Sequence, residues 1–91
     1  MQEPEDAGDL GRAPAFMPGT RVQAVKDVRN DGTHPDVPAG AVLVRAGDIG
    51  FVRELGSFLQ RYRIYEVDFI ASQRVVGMRA GELTTAEPDR V

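Results

Sequence analysis

Few side chains in this sequence could carry out acid–base or nucleophilic chemistry. The chain of 91 residues contains one histidine, His34, and no cysteine. Histidine titrates closest to neutral pH, so His34 is the natural candidate for a general base. It lies between Thr33 and Pro35 in a loop, and no serine or cysteine nucleophile stands beside it in a recognised motif. We therefore predict that the protein has no catalytic residue and is not an enzyme.

The spacing of potential ligands does not predict a metal or phosphate site. Without cysteine, and with a single histidine, the chain lacks the usual ligands of zinc and of iron–sulfur clusters. The run NDG at 30–32 resembles the start of a calcium loop, but no ladder of carboxylates and no bidentate glutamate follow it. The run GDIG at 47–50 lacks the strand-to-helix context of a phosphate-binding loop. The sequence predicts neither a metal nor a cofactor.

Two segments have the features of a protein-binding surface. The segment 30–40, NDGTHPDVPAG, is long for a loop of a small domain, and long loops that persist often bind other molecules. Phe58 and Leu59 are adjacent in a predicted surface connection, where both cannot face the core, so we expect one of them to be exposed. The alternative is that both fold over one end of the domain. The candidate protein-binding residues are Asn30, Asp31, Gly32, Thr33, Ser57, Phe58, Leu59 and Gln60.

The distribution of charge argues against a general nucleic-acid binder. The net charge is −3, and residues 13–83 carry nine basic and eight acidic side chains, whereas such a binder needs a strong basic excess. The run RYR at 61–63 could still stack on bases and pair with phosphates, which keeps a small nucleic-acid-binding domain as an alternative. No apolar run approaches the roughly 18 residues of a membrane-spanning helix. The acidic, polar N-terminus is unlike a secretory signal, so we expect a cytoplasmic protein.

The elements that must position these residues are short β-strands. Apolar residues alternate with polar ones between turns that are rich in glycine and proline. The alternation is clearest where Tyr65, Val67 and Phe69 are separated by acidic residues, which indicates a half-buried strand. The predicted strands are 20–29, 41–47, 51–55, 61–70 and 74–79.

Three local features are expected between these strands. The alternation is interrupted at Lys26–Asp27, which predicts a bulge there. Gly56 is expected to begin a turn after the third strand. The run at 80–85 is too short for a stable helix and is expected to form one 3₁₀ turn, with Leu83 tucked under a barrel formed by the strands.

The element pattern predicts an all-β fold, a small five-stranded SH3-like barrel, because near closure protects the strand edges. Residues 1–14 are expected to form a disordered acidic tail, residues 15–85 the domain, and residues 86–91 a flexible C-terminus. The predicted core residues include Val22, Val44, Val52, Tyr65, Val67, Phe69 and Met78.

Four blocks of the sequence stand in a specific order and spacing. They are VRNDGTHP (28–35), GAVLVRAGDIGFVRELGSFLQ (40–60), RIYEVDF (63–69) and VVGMRAGEL (75–83). Together they make residues 16–84 similar to the NifZ family of nitrogen-fixation accessory proteins. The resemblance implies that residues 15–85 are a NifZ-type domain. It also implies a role in maturation of the molybdenum–iron protein of nitrogenase, at the stage where its P-clusters are completed.

The resemblance and the residue types point together to a binding function. A chain with one histidine and no cysteine lacks the usual cluster ligands, so any help in P-cluster formation must act on another protein's cysteines. Our hypothesis is a non-enzymatic, chaperone-like factor that binds the nitrogenase molybdenum–iron protein or its precursor and favours one of its conformations. The alternatives are an SH3-like interaction barrel of another redox complex and the small nucleic-acid-binding barrel.

Overall fold

The computed structural model describes residues 10–86 of the chain. Residues 1–9 and 87–91, and with them most of the predicted tail and C-terminus, lie outside the described residues. The described part forms seven β-strands and a short 3₁₀ helix. The strands are β1 (Arg21–Ala24), β2 (Val28–Arg29), β3 (Val42–Val44), β4 (Ile49–Phe58), β5 (Tyr62–Phe69), β6 (Arg74–Met78) and β7 (Leu83–Thr85), and the 3₁₀ helix is Ala80–Glu82.

The strands form two antiparallel sheets. One has five strands in the order β6-β5-β4-β1-β7, and the other contains only β2 and β3. Residues 10–86 include no α-helix, and so no helix with the length and apolar character needed to cross a membrane. The all-β prediction is confirmed. Closure into an SH3-like barrel is not confirmed, because β6 and β7 are the open edges of the larger sheet.

The first predicted strand is divided between the two sheets. β1 ends at Ala24 and pairs with β4 and β7, whereas β2 begins at Val28 and pairs with β3. Between them, Asp27 Oδ1 accepts a hydrogen bond of 2.8 Å from the peptide N–H of Ala46. The bulge expected near Lys26–Asp27 is therefore a larger irregularity, at which the chain passes from one sheet to the other.

The β4–β5 hairpin is the longest pairing in the fold and presents the predicted apolar pair. Its strands pair from end to end, with one irregularity between Val52 and Glu54. The expected turn at Gly56 is wrong, because this residue lies inside β4, opposite Ile64. Glycine weakens a strand, but here the backbone pairing with β5 keeps it extended. The turn lies instead at residues 59–61.

One hydrophobic core is shared by both sheets, and all seven core residues predicted from the sequence are buried. Tyr65 closes one end of this core. The Phe16 ring meets it edge-on at a centroid distance of 5.4 Å, and its hydroxyl accepts a 2.9 Å hydrogen bond from the peptide N–H of Ala15. Leu83 follows the 3₁₀ helix and is buried, as expected. The core residues are Val22, Ala24, Leu43, Val44, Val52, Tyr65, Val67, Phe69, Val76, Met78 and Leu83.

Candidate functional site

Asn30 is the centre of the loop that joins β2 to β3. Its side chain is buried, and its Nδ2 donates to the carbonyl oxygens of His34, Val37 and Pro38 at 2.8, 3.0 and 3.3 Å. Its Oδ1 accepts from the peptide N–H groups of Gly32 and His34 at 3.0 and 3.1 Å. Asparagine suits this position because one short side chain carries both donors and an acceptor. Asn30 therefore organises the loop from inside, and its side chain does not face outward.

Asp31, Gly32 and Thr33 form the exposed tip of the same loop. Asp31 Oδ1 accepts hydrogen bonds from the hydroxyl of Thr33 at 2.9 Å and from its peptide N–H at 3.2 Å. The hydroxyl bond is the main cause that lowers the pKa of Asp31 below its ordinary value of 3.8. Gly32 has a φ of 104°, which an L side chain rarely adopts. The loop tip thus presents a carboxylate and backbone groups to solvent.

The turn between β4 and β5 carries the other candidate residues, and we call residues 57–60 the hairpin tip. The sequence predicts that one of its two large apolar side chains is exposed, whereas the structure exposes both. Phe58 is 58% exposed and Leu59 is 69% exposed. Ser57 and Gln60 are exposed beside them. The structure therefore brings all four candidate residues of this segment together on one surface turn.

The backbone of the hairpin tip is unfavourable for the residues it contains. Leu59 and Gln60 have φ values of 56° and 54°, and the peptide N–H of Arg61 donates to the carbonyl of Phe58 at 3.1 Å. This is the pattern of a type I′ turn, which Asn-Gly normally occupies. A residue with a side chain costs on the order of 1–3 kcal/mol in this region, and such strain clusters at functional sites. Turn chemistry alone would not select leucine here.

Two arginines flank the aromatic ring next to the hairpin tip. The Cζ atoms of Arg61 and Arg79 lie 5.5 and 4.3 Å from the centroid of the Tyr62 ring, within the range of cation–π attraction. Tyr62 is paired with Phe58 in the register, so the two side chains share one face of the sheet. Arg79 could not be assigned to this cluster from the sequence, because only the pairing of β5 with β6 brings it to the Tyr62 ring.

The two candidate segments lie near opposite ends of β5. Asp36, in the same loop as residues 30–33, forms a 2.8 Å ion pair with Arg74, and Arg74 pairs with Phe69 at the end of β5. The hairpin tip adjoins Tyr62, where β5 begins. The extended strand between them spans roughly 23 Å at about 3.3 Å per residue. The structure therefore does not join the two segments into one patch.

His34 contributes to the loop mainly through its backbone, which is bonded to Asn30 in both directions. Its charge also helps to lower the pKa values of Asp31 and Asp36. Within residues 10–86, no three His, Asp or Glu side chains converge in a group that could hold a metal ion. Two cavities of about 200 and 240 Å³ are smaller than the 300–1,000 Å³ typical of small-molecule sites.

The described residues thus define a small all-β protein whose most distinctive surface is a strained, apolar hairpin tip. The NifZ domain family matches residues 13–85. The chain belongs to this family, which links it to nitrogen fixation.

Curated relatives agree with the family match. The chain is 49% identical to a putative NifZ protein of Sinorhizobium fredii, over 87% of this chain and 73% of the relative. It is 46% identical to a probable NifZ protein of Rhodobacter capsulatus, over 77% and 90% of the two chains. It is 42% identical to the NifZ protein of Azotobacter vinelandii, over 80% of this chain and 46% of the relative. No solved structure matches the chain significantly.

Proposed function

We propose that this protein is a non-enzymatic, chaperone-like factor of nitrogen fixation that works in the cytoplasm. It binds the nitrogenase molybdenum–iron protein, or its precursor, and assists maturation at the stage where the P-clusters are completed. Family membership supports the nitrogen-fixation setting, and the exposed hairpin tip supports the binding step. The proposed contact residues are Asp31, Gly32, Thr33, Ser57, Phe58, Leu59 and Gln60, and Asn30 supports the loop from inside.

The hairpin tip is the observation that carries this proposal. Phe58 and Leu59 present two large apolar side chains to solvent on one turn, and a few apolar anchors that fill a partner's pocket dominate many interfaces. The tight turn at Leu59 and Gln60 gives these side chains a fixed setting. An anchor that is held in place before binding loses less conformational entropy when it binds.

The mechanism requires only differential binding. The chain has no cysteine and one histidine, so the thiolates that hold a cluster must come from the partner. A factor that binds one conformation of the precursor more tightly shifts the population toward it by the ratio of the two affinities. Each tenfold preference corresponds to about 1.4 kcal/mol. The favoured conformation is the one in which the partner's cysteines can bind the completed P-cluster.

The scaffold that presents the hairpin tip is, we further propose, an SH3-like barrel that is not fully closed. Both sheets contribute to one core, and the ion pair between Asp36 and Arg74 joins the loop after β2 to the start of β6. An experimental structure with the β2–β3 sheet packed beside β6 around this core supports the proposal. A structure in which the two sheets separate contradicts it.

The decisive experiment separates binding from folding at the hairpin tip. Leu59→Asn removes the anchor but suits the positive φ, so we expect it to be at least as stable as the wild type. Gln60→Gly relieves the same strain and keeps the anchor, which makes it the matched control. Tagged variants are purified anaerobically from nitrogen-fixing cells that accumulate molybdenum–iron protein with incomplete P-clusters.

We expect Leu59→Asn to reduce both precursor recovery and P-cluster content at least tenfold, and Gln60→Gly, which keeps the Leu59 anchor, to reduce them by a clearly smaller factor. Asp31→Ala, at the other end of β5, is expected to produce a smaller loss. Wild-type recovery with Leu59→Asn at an unchanged melting temperature contradicts the role of the tip. If the wild-type protein itself recovers no precursor, the proposed function is wrong.

A further inference from the structure

One face of the β4–β5–β6 sheet points away from the core. On this face, acidic and basic residues lie at different positions along the strands, and we call these positions levels. Tyr65, Val67 and Phe69 point into the core, so the alternate residues of β5 point outward. Strand pairing brings residues of β4 and β6 onto the same side. We call the part of this side nearest the hairpin tip the outer face, and its residues are Glu54, Gly56, Phe58, Tyr62, Ile64, Glu66 and Gly77. The same side continues beyond the two glutamates with Phe51, Asp68 and Val75.

One level of the outer face is acidic. Glu54 and Glu66 are direct cross-strand neighbours, and their Cβ atoms are therefore about 4.5–5.5 Å apart. Like charges in this position destabilise a sheet. Among the described residues, neither carboxylate has an ion pair. The pair is thus suited to a cation supplied from outside the chain.

The other level is basic and lies on the opposite side of Ile64. The guanidinium of Arg61 stands 5.5 Å from the Tyr62 ring centroid, and a stacked guanidinium keeps N–H groups that can bind a carboxylate. Two glycines reduce the number of side chains around Ile64, because Gly56 pairs with Ile64 and Gly77 pairs with Glu66. Gly56 has open space where a Cβ would stand, and Ile64 Cγ2 fills the space next to Gly77.

We propose that two copies of this chain pair through their outer faces. The two-fold axis lies between the two copies, parallel to their sheets and perpendicular to their strands, at the position of Ile64. It therefore sets the two Ile64 side chains against each other. The same axis places Arg61 of each copy over the Glu54–Glu66 pair of the other copy. Because the interface is isologous, this charge complementarity occurs twice. The two β5 strands then stack antiparallel in facing sheets about 10 Å apart.

The size of the outer face sets the strength of this pairing. Three strands about 4.8 Å apart and roughly seven residues long cover about 14 by 23 Å. This footprint of about 320 Å² per copy is below the roughly 800 Å² per partner of a standard interface, so the dimer is weak, forms only at high protein concentration and weakens further as salt screens the charges. The outer face shares Phe58 with the hairpin tip, so the dimer and the proposed complex compete for this side chain, but the pairing is measured on the isolated chain and its failure leaves the proposed function untouched.

A charge-reversal experiment tests the pairing. Sedimentation equilibrium of the full chain is measured from about 10 μM to 1 mM at low salt, where wild-type protein is expected to dimerise. Glu66→Arg and Arg61→Glu are each expected to weaken the dimer at least tenfold. Their equimolar mixture is expected to recover wild-type affinity within about threefold, because every reversed charge meets its complement. Arg45→Glu, in the exposed turn after β3, is the control and is expected to dimerise normally.

Each outcome bears directly on the proposal. Wild-type protein that remains a monomer at 1 mM overturns it. A mixture that remains monomeric while both variants keep the wild-type melting temperature also overturns it. If Glu66→Arg does not fold, Glu54→Arg takes its place in the mixture, since this residue belongs to the same acidic pair.

Discussion

At the scale of single residues, Asn30 has the greatest structural influence on the candidate site. Its amide makes five hydrogen bonds to backbone groups of the loop that it begins. We predict that Asn30→Ala lowers the free energy of unfolding by about 1–3 kcal/mol, because it leaves part of this backbone without partners. Urea denaturation measures the change.

The matched control for this prediction is Asp31→Ala at the exposed neighbour. It removes only the contacts with Thr33, and an exposed substitution of this kind usually changes stability by less than about 0.5 kcal/mol. Equal effects of the two variants would show that the buried amide does not organise the loop.

Asp36 makes one part of the stability depend on pH. The hydrogen bond from Arg74 is the main cause that lowers the pKa of Asp36 below 3.8. Because the folded-state pKa is depressed, the stabilisation is present above the unfolded pKa and is lost as pH falls through the folded pKa. We predict that Asp36→Asn lowers the melting temperature at pH 7 and that its difference from wild type is lost as the pH falls below 3.8 and through the lowered pKa of Asp36.

The measurement is a pair of thermal melts at each pH, and Arg74→Gln is expected to behave like Asp36→Asn because it removes the other partner. A melting difference that stays constant as the pH falls well below 3.8 would contradict the pKa shift as its cause.

At the scale of elements, two glycines of β4 have opposite requirements. A Cβ at Gly50 would lie 2.6 Å from Val67 Cγ1 and 2.7 Å from the carbonyl oxygen of Asp68, and that backbone oxygen cannot move aside. A Cβ at Gly56 would meet no atom within 4 Å. We predict that Gly50→Ala destabilises the protein by about 1–3 kcal/mol, whereas Gly56→Ala is neutral or slightly stabilising.

Chemical denaturation of both variants checks this prediction. Gly56→Ala serves as the control for any general effect of alanine in β4. A Gly50→Ala variant as stable as the wild type would mean that β4 and β5 are farther apart than the structure places them.

The sequence predicted the elements best where local pattern decides the structure. Tyr65, Val67 and Phe69 alternate with acidic residues, and all three are buried in β5. The irregularity at Lys26–Asp27 could also be located, since a charged residue interrupts the apolar positions there. The turn at Gly56 was mispredicted because glycine weakens a strand locally, while the long-range pairing with β5 holds this residue in β4.

Features that depend on the arrangement of strands could not be read from the sequence. The distance between the loop tip and the hairpin tip follows from their positions at the two ends of β5. The exposure of both Phe58 and Leu59 follows from the turn geometry, and nothing in the local sequence suggests a type I′ turn at Leu59-Gln60. Whether a sheet closes depends on its edges, which strand counting does not specify.

At the scale of the whole molecule, the segment before β1 packs along the β4–β5 hairpin. The peptide N–H of Leu10 donates to the carbonyl of Arg61 at 3.2 Å, and Arg63 Nη2 donates to the carbonyl of Arg12 at 2.8 Å. These contacts are at the surface. Phe16 is different, because its ring packs against the buried Tyr65. The boundary of the folded domain is therefore expected between residues 14 and 16.

Two truncations, each with an initiating methionine, test this boundary. Removal of residues 1–14 takes away surface hydrogen bonds but keeps Ala15 and Phe16 on Tyr65, so we predict a folded domain with a modest loss of stability. Removal of residues 1–16 also exposes Tyr65, and we predict a further loss of about 1–3 kcal/mol from apolar burial and the aromatic pair. Urea denaturation measures both steps. Equal stability of the two truncated chains would show that Phe16 does not belong to the core. If the chain that lacks only residues 1–14 does not fold, residues 10–14 belong to the domain.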